Sequence, residues 1–410
     1  MSFLNLFLRR FIVHGSLTVI YSNGQSFLFE GKALPDVQPC TIRLHDSRLP
    51  WTIPLSPSLA VGEAFMEGRL TIEEGTLYDF LALATANARR FGGVISPSDV
   101  LAWLTRRLQQ WNPVSASRRN VAHHYDLSDA FYDLFLDEDR LYSCAYFPVP
   151  RMTLDQAQAA KKRHIIDKLR LSPGQRVLDI GCGWGGLALA MAREADVTVT
   201  GITLSEHQLK IARQRAKAAG LDDRVNFELI DYRQIGLTFD RIVSVGMFEH
   251  VGVDHYATFF NKVRGLLTDS GIALLHAIGR SGRPTTTDPW IRKYIFPGGY
   301  CPSLSEVLPA TEKSSLFVTD LEILSPLHYA DTLRHWRARF CSRWHKAAAL
   351  YDERFCRMWE FYLAGAEASF RYGDLMVFQM QMAGNPQAVP RTRDYMLGAD
   401  APIAAARAAE

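Results

Sequence analysis

The chain has 410 residues, 48% of them hydrophobic and 22% charged, enough to bury a large core and to make two domains. Lys and Arg number 46 against 43 Asp and Glu, a net charge of +3, so nucleic acid is not an expected partner and any membrane contact must be local. The six cysteines are scattered, with no C-x-x-C pair, which argues for a reducing compartment and against a zinc site, and no uncharged apolar run of about 18 residues offers a bilayer span.

The start, Met1 to Ile12, is apolar at Phe3, Leu4, Leu6, Phe7 and Leu8, but Asn5, Arg9 and Arg10 interrupt it and no small-residue cleavage site follows. A cytoplasmic protein is expected. Residues 1–95 read as a small α+β domain. Strands are predicted at Ser16–Tyr21, Gln25–Phe29 and Cys40–Leu44, with turn signals at Asn23-Gly24 and Pro35-Asp36, followed by a helix over Leu77–Arg89. No acid, base or nucleophile clusters there. Residues 96–120 form a predicted helical linker, opened by Ser96-Pro97-Ser98-Asp99 and carrying Val100, Leu101, Leu104, Leu108 and Trp111 at helical spacing. Its arginines (Arg106, Arg107, Arg118, Arg119) fit either a helix lying on anionic lipid or an ordinary helix packed on its own domain or a second subunit.

From residue 121 to about 395 strands and helices alternate as in an open parallel sheet, before a short tail over 396–410. Predicted strands are Arg176–Ile180, Val197–Ile202, Val225–Ile230, Phe239–Val245 and Gly271–Ala277. Predicted helices are Ala157–Leu169, Leu187–Arg193, Glu206–Ala219 and Tyr256–Leu267. At the first strand R-V-L-D-I-G-C-G-W-G-G ends in a glycine cluster, a strand-turn-helix that lets the backbone approach a nucleotide-like cofactor. Gly181, Gly183 and Gly186 satisfy the dinucleotide pattern G-x-G-x-x-G, which alone does not choose the cofactor. A nicotinamide site needs an acid closing the second strand, and here Thr203 and Ser205 stand in its place. Asp231 ends the third strand, where a carboxylate receives an adenine amino group. With Asp179 before the glycines, this layout is that of a class I S-adenosylmethionine methyltransferase. His123 and His124 look like a metal pair but have no carboxylate at ligand spacing, so a helix-entry role is expected.

The order H-Y-D-L (His124 to Leu127), Y-S-C-A-Y-F (Tyr142 to Phe147), the glycine stretch, G-I-T-L-S-E-H-Q, I-V-S-V-G-M-F-E-H-V-G, L-L-H-A-I-G and I-F-P-G-G closely resembles the cyclopropane-fatty-acid synthase family over about residues 120–380. The resemblance implies an α/β class I methyltransferase (Rossmann-like) doubly wound sheet behind a smaller N-terminal α+β domain. It implies transfer of a methylene from S-adenosylmethionine to the cis double bond of unsaturated phospholipid acyl chains, with bound bicarbonate taking the proton. The bicarbonate cradle carries over to the backbone around Cys144, Glu249, His276, the backbone of Ile278, and Tyr329. Cofactor contacts carry over to Tyr142 and Ser143 at the methionine end, Gly181 and Gly183 beneath it, Thr203 and Gln208, with Ser205, around the ribose, and Asp231 with Tyr232 at the adenine. Cys144 is expected as a buried thiol and not a nucleophile, since the methyl moves directly to carbon. The aromatic segment Trp290–Tyr300 is expected as a wall or lid over the acyl chain, or else as a surface loop. Implied partners are the bilayer surface, met peripherally at the inner membrane, unsaturated acyl chains, and a second copy in a homodimer. Two other outcomes remain open: a C-methyltransferase leaving a branched methyl or methylated alkene, and a lipid-binding protein with a vestigial methyltransferase domain.

Overall fold

The computed structural model describes residues 2–91 and 127–396, so the predicted linker helix, the His123-His124 pair and nearly all of the tail lie outside the described residues. In the N-terminal part the predicted strands form as β1 (Ser16–Ile20), β2 (Ser26–Glu30) and β3 (Cys40–Leu44). They join β4 (Leu70–Glu74) in a sheet of order β2-β1-β3-β4, with β1 and β3 parallel and the other pairs antiparallel. Around it lie α1 (Phe3–Phe11), α2 (Leu49–Leu55), α3 (Pro57–Met66) and α4 (Leu77–Ala88). Helix α4 begins at a Thr76/Asp79 capping box, which satisfies two orphan N–H groups.

The sequence did not announce α1 to α3. Asn5, which breaks the apolar run of α1, turns inward, and its Oδ1 accepts from the Tyr21 hydroxyl at 2.5 Å. In α2, L-P-W-T-I-P-L, Pro50 lies in the first turn, where an N–H has no intrahelical acceptor, so a residue that reads as a breaker is tolerated.

Beyond the short α5 (Asp129–Tyr132) come α6 (Leu154–Leu169), β5 (Arg176–Ile180), α7 (Gly186–Glu194), β6 (Thr198–Thr203), α8 (Glu206–Ala218), β7 (Val225–Leu229), β8 (Phe239–Val245), α9 (Tyr256–Leu266) and β9 (Leu267–Arg280). Four predicted strands fall within a residue of their place. The fifth, β9, is longer than predicted, so His276 and Ile278 sit inside a strand and not at or beyond its end. The chain continues through α10 (Pro289–Tyr294), α11 (Leu304–Glu312), β10 (Phe317–Leu324), α12 (Pro326–Ser342), α13 (Trp344–Leu350), α14 (Glu353–Arg371) and β11 (Leu375–Ala383).

The strands form one seven-stranded sheet of order β10-β11-β9-β8-β5-β6-β7. This is the expected Rossmann-like doubly wound α/β sheet with one departure: β11 runs antiparallel to both β9 and β10. The connections leave β5 in one direction through β6 and β7 and return on its other side through β8 and β9. A crevice therefore opens at the carboxyl ends of β5 and β8.

The two sheets do not have separate cores. Helix α14 packs on α3 and α4 as well as on α12, and Phe65 meets Phe361 with ring centroids 6.0 Å apart. Trp290 of α10 lies against Gly62, where a Cβ would come within 2.4 Å of its ring, and Glu63 accepts from Lys293 Nζ at 2.6 Å and the Tyr294 hydroxyl at 2.8 Å. Helix α3 thus braces the segment that carries Trp290 to Tyr300.

Candidate active site

The glycine turn after β5 makes the floor of a cavity with an empty volume of about 1240 Å³, its open mouth included. Gly181, Gly183 and Gly185 all take positive φ (83°, 55° and 83°), and Gly181 and Cys182 N–H groups donate to the Ile202 carbonyl, which pins the turn to β6. At Gly183 a Cβ would point into open cavity, so the missing side chain leaves room for a ligand. Tyr142, Ser143, Asp179, Gly181, Gly183, Thr203, Gln208, Asp231 and Tyr232 all line this space.

Ser205 does not. Its hydroxyl caps α8 by accepting from the Gln208 N–H at 3.3 Å, while its own N–H donates to Thr203 Oγ1, so it shapes the turn and does not face the cavity. Thr203 in turn donates to Gln208 Oε1 at 2.9 Å and fixes that amide. Asp231 is not a bare carboxylate: Arg233 binds both its oxygens, at 2.8 and 2.7 Å, and itself lines the cavity. The Arg233 backbone N–H also donates to Asp231 Oδ1, at 3.0 Å, so the carboxylate is held firmly at the cavity edge.

The deep end of the cavity carries charge that the described residues leave incompletely matched. Asp179 Oδ2 is buried without a hydrogen-bond partner among them, and burial pushes its carboxyl up to about 7. Lys161 on α6 is 2% exposed, donates to Ser143 Oγ at 2.8 Å, and is pushed down to about 8 by burial, with Asp137 opposing. An orphaned carboxylate beside a buried ammonium suits a zwitterionic amino-acid end, whose ammonium meets the acid and whose carboxylate meets the lysine. The methionine moiety of S-adenosylmethionine is such a group.

A second cavity, about 660 Å³ in empty volume, abuts the first, and Tyr142, Ser143, Gly246 and His250 line both. Cys144, Glu249, His276, Ile278 and Tyr329 all border it, with an apolar wall from Ile291, Phe296 and Tyr300. Glu249 sits in a short turn after β8, and its Oε1 accepts from the Ile278 N–H at 2.6 Å. That N–H is therefore engaged within the protein. Oε2 is buried without a partner among the described residues, and burial pushes the carboxyl up to about 7. His276 on β9 is held neutral by burial, its pKa down to about 3. Gln379 Nε2 on β11 lies 3.1 Å from His276 Nδ1, and an amide N–H donated there leaves the ring proton on Nε2. Tyr329 packs against Phe370 with centroids 4.6 Å apart. The Cys144 thiol is 1% exposed, and its ionisation is suppressed by burial, as suits a packing residue.

The wall between the cavities is held from both sides. Gln158 donates to the carbonyls of Leu141 and Ser143, each at 3.1 Å, one helical turn before Lys161 on α6. From α12, Thr332 accepts the Ala145 N–H and His328 the Phe147 N–H. Tyr142 stacks on Trp336 and exchanges a 2.9 Å hydrogen bond with Tyr362. Sequence reasoning did not reach Lys161, Arg233 or Gln379, and left His250 undecided. His250 borders both cavities, neutral, its pKa lowered to about 4 by burial. Only Lys161 had an available signal: Gln158 and Lys161 at i, i+3 put polar groups on the face of α6 that also carries Leu154 and Ile165.

Comparison with known proteins identifies the family. Residues 114–380 match the mycolic acid cyclopropane synthetase family. A probable fatty acid methyltransferase of Pseudomonas putida is 46% identical over 67% of this chain and 73% of its own length. The cyclopropane-fatty-acyl-phospholipid synthase of Escherichia coli K12 is 38% identical over 85% of this chain and 89% of its own. Among solved structures, mycolic acid cyclopropane synthase CmaA1 complexed with SAH and CTAB superposes with a TM-score of 0.62 at 36% identity, covering 66% of this chain and 99% of that one. With the class I sheet, the glycine-floored cavity and a family match spanning most of the catalytic part, this chain belongs to the mycolic acid cyclopropane synthetase family and is an S-adenosylmethionine-dependent methyltransferase.

Proposed function

We propose that this enzyme moves the methyl carbon of S-adenosylmethionine onto the cis double bond of unsaturated phospholipid acyl chains and closes a cyclopropane ring, with bicarbonate as the base. The observation that carries the reading is the second cavity: an apolar chamber sharing a wall with the cofactor cavity, in which one buried carboxylate oxygen, Glu249 Oε2, has no donor among the described residues. An apolar chamber suits a chain with no polar group near its reacting carbons. Across the reaction a carbon–sulfur bond breaks, two carbon–carbon bonds form, and one proton must leave the carbocation so formed.

The residues fit bicarbonate. Its hydroxyl matches the orphaned Oε2, and its remaining oxygens match the His276 Nε2 proton and the Tyr329 hydroxyl. When bound, bicarbonate supplies the proton acceptor. Glu249 orients it, neutral His276 and Tyr329 donate to it, and the buried walls keep water from trapping the cation. Ile278 serves through Glu249, because its N–H is already donated there.

The similarity to a protein named as a probable fatty acid methyltransferase favours one second reading, in which the same cation loses a proton from the chain and leaves a methylated alkene. Expression in cells rich in monounsaturated phospholipid, fed methionine with a deuterated methyl group, separates the two. Cyclopropane lipids carrying two deuteriums are expected. Products retaining three establish the second reading, and unchanged lipids refute both.

No helix among the described residues is long and apolar enough to cross a membrane. The proposed place of action is the cytoplasmic face of the inner membrane, reached peripherally, with a homodimer as the proposed assembly.

A further inference from the structure

The α1–α2 corner of the N-terminal sheet exposes a set of side chains that the packing of a soluble surface does not require. Phe3 is 41% exposed, Leu6 46%, Trp51 63% and Leu55 52%. Phe3 and Leu6 lie one turn apart on α1, and Trp51 and Leu55 one turn apart on α2, so each pair shares a helix face. The rings of Phe3 and Trp51 stack with centroids 6.4 Å apart, which joins the two faces into one patch. The opposite face of α1, through Leu4, Leu8 and Phe11, is buried in the core, so the helix has two apolar faces and only one is covered.

Exposed arginines flank the patch, and the acid nearest it in sequence, Asp46, is already paired with Arg69. Arg9 and Arg10 end α1 and Arg48 precedes α2, all three exposed, and neither helix contains a carboxylate. Contiguous large apolar groups rimmed by arginine suit an anionic bilayer surface, where rings and aliphatic chains enter the acyl boundary and guanidinium groups meet phosphates. They suit a two-fold contact with a second copy less well, since neither helix carries a carboxylate to receive the partner's arginines.

The patch is also linked to the proposed lipid site through packed helices. Helix α2 packs on α3, α3 packs on α10 through Gly62 and Trp290, and the next residue, Ile291, lines the apolar cavity. We propose that the α1–α2 corner is the surface by which this enzyme docks on anionic bilayers. This rests on the phospholipid reading above, and it locates the contact in the described N-terminal helices.

The test uses the full chain. Flotation with vesicles of phosphatidylcholine and phosphatidylglycerol is compared for wild type, a Phe3→Ser, Leu6→Ser, Trp51→Ser, Leu55→Ser variant, and an Arg9→Glu, Arg10→Glu variant. Vesicle affinity is expected to fall about tenfold or more in each. Wild-type binding is expected to weaken in neutral vesicles and in high salt, while SAH affinity and modification of lipid dispersed in detergent stay within about twofold. Because all-serine replacement can unfold the corner, Trp51→Phe serves as a second probe: quenching of tryptophan emission by lipids brominated on the chain should drop in it. Undiminished flotation of both multiple variants overturns the proposal, as does a change in oligomeric state in place of a change in vesicle binding. Vesicle binding that the variants abolish, in a protein that modifies no lipid, would leave the docking surface standing and refute the proposed reaction.

Discussion

Glu249 carries a sharp chemical demand, because one oxygen is satisfied by Ile278 and the other has no donor among the described residues. Glu249→Gln keeps the first contact and removes the charge. Turnover is expected to fall at least ~10²-fold with SAH affinity changed less than about threefold, and equal losses in both would displace Glu249 from the proton-acceptor cradle. The same variant reports on pH. Burial raises this carboxyl from 4.5 to about 7, so between those values the folded chain holds a proton that the unfolded chain has released. Its contribution to stability therefore declines as pH rises through that window, and above about 7 the whole penalty is present. Thermal or urea unfolding should show Glu249→Gln more stable than wild type at pH 8, by about 1–3 kcal/mol, and no such gain at pH 4. Asp179 has a slope of the same sign, but it is present in both proteins and cancels in the difference. Gln379 acts at one remove, through the ring of His276. Gln379→Leu should lower kcat about tenfold and leave SAH affinity unchanged, and an unaltered kcat would deny it any part in orienting the imidazole. Glu249 and His276 were legible because they stand in motifs beside predicted strands. Gln379 was not, for it sits in L-M-V-F-Q-M-Q-M-A, an apolar run that suits a helix as well as a strand, and only the fold places it beside His276.

Among the elements, those legible in the sequence are the ones whose signal is local. Strand β5 is a buried run closed by glycines, and α8 and β8 carry their caps and periodicity within their own residues. Helices α12 and α14 and strands β10 and β11 take their form from packing on one another and on the N-terminal helices, and such partners leave no mark on the segment itself. Helix α3 illustrates the consequence. Its Gly62 allows the Trp290 ring to sit where a Cβ would intrude to 2.4 Å. Gly62→Ala should destabilise the protein by about 1–3 kcal/mol and reduce kcat/KM for lipid, because Ile291 next to Trp290 lines the acyl cavity, while SAH affinity holds. Kinetics indistinguishable from wild type would show that this contact does not reach the cavity wall.

For the whole molecule, the shared core bears on how the domains separate. The sequence places a boundary near residue 95, yet Phe65, Leu81, Trp290, Phe361 and Leu363 belong to one hydrophobic cluster. Calorimetry should accordingly record one cooperative transition, and removal of residues 1–95 should lower Tm or solubility in addition to impairing action on vesicles. Two well-separated transitions would show the N-terminal sheet to be an independent unit. The common wall of the two cavities has a further consequence, one of bookkeeping between ligands. Tyr142, Ser143, Gly246 and His250 touch both spaces, so whatever adjustment one occupant imposes there is felt by the other. By thermodynamic reciprocity, the factor by which SAH alters affinity for an unreactive acyl ligand must equal the factor by which that ligand alters affinity for SAH. If the shared wall tightens around the cofactor, an enzyme holding spent cofactor grips its lipid more firmly, and the order in which the two products depart is then written into four residues.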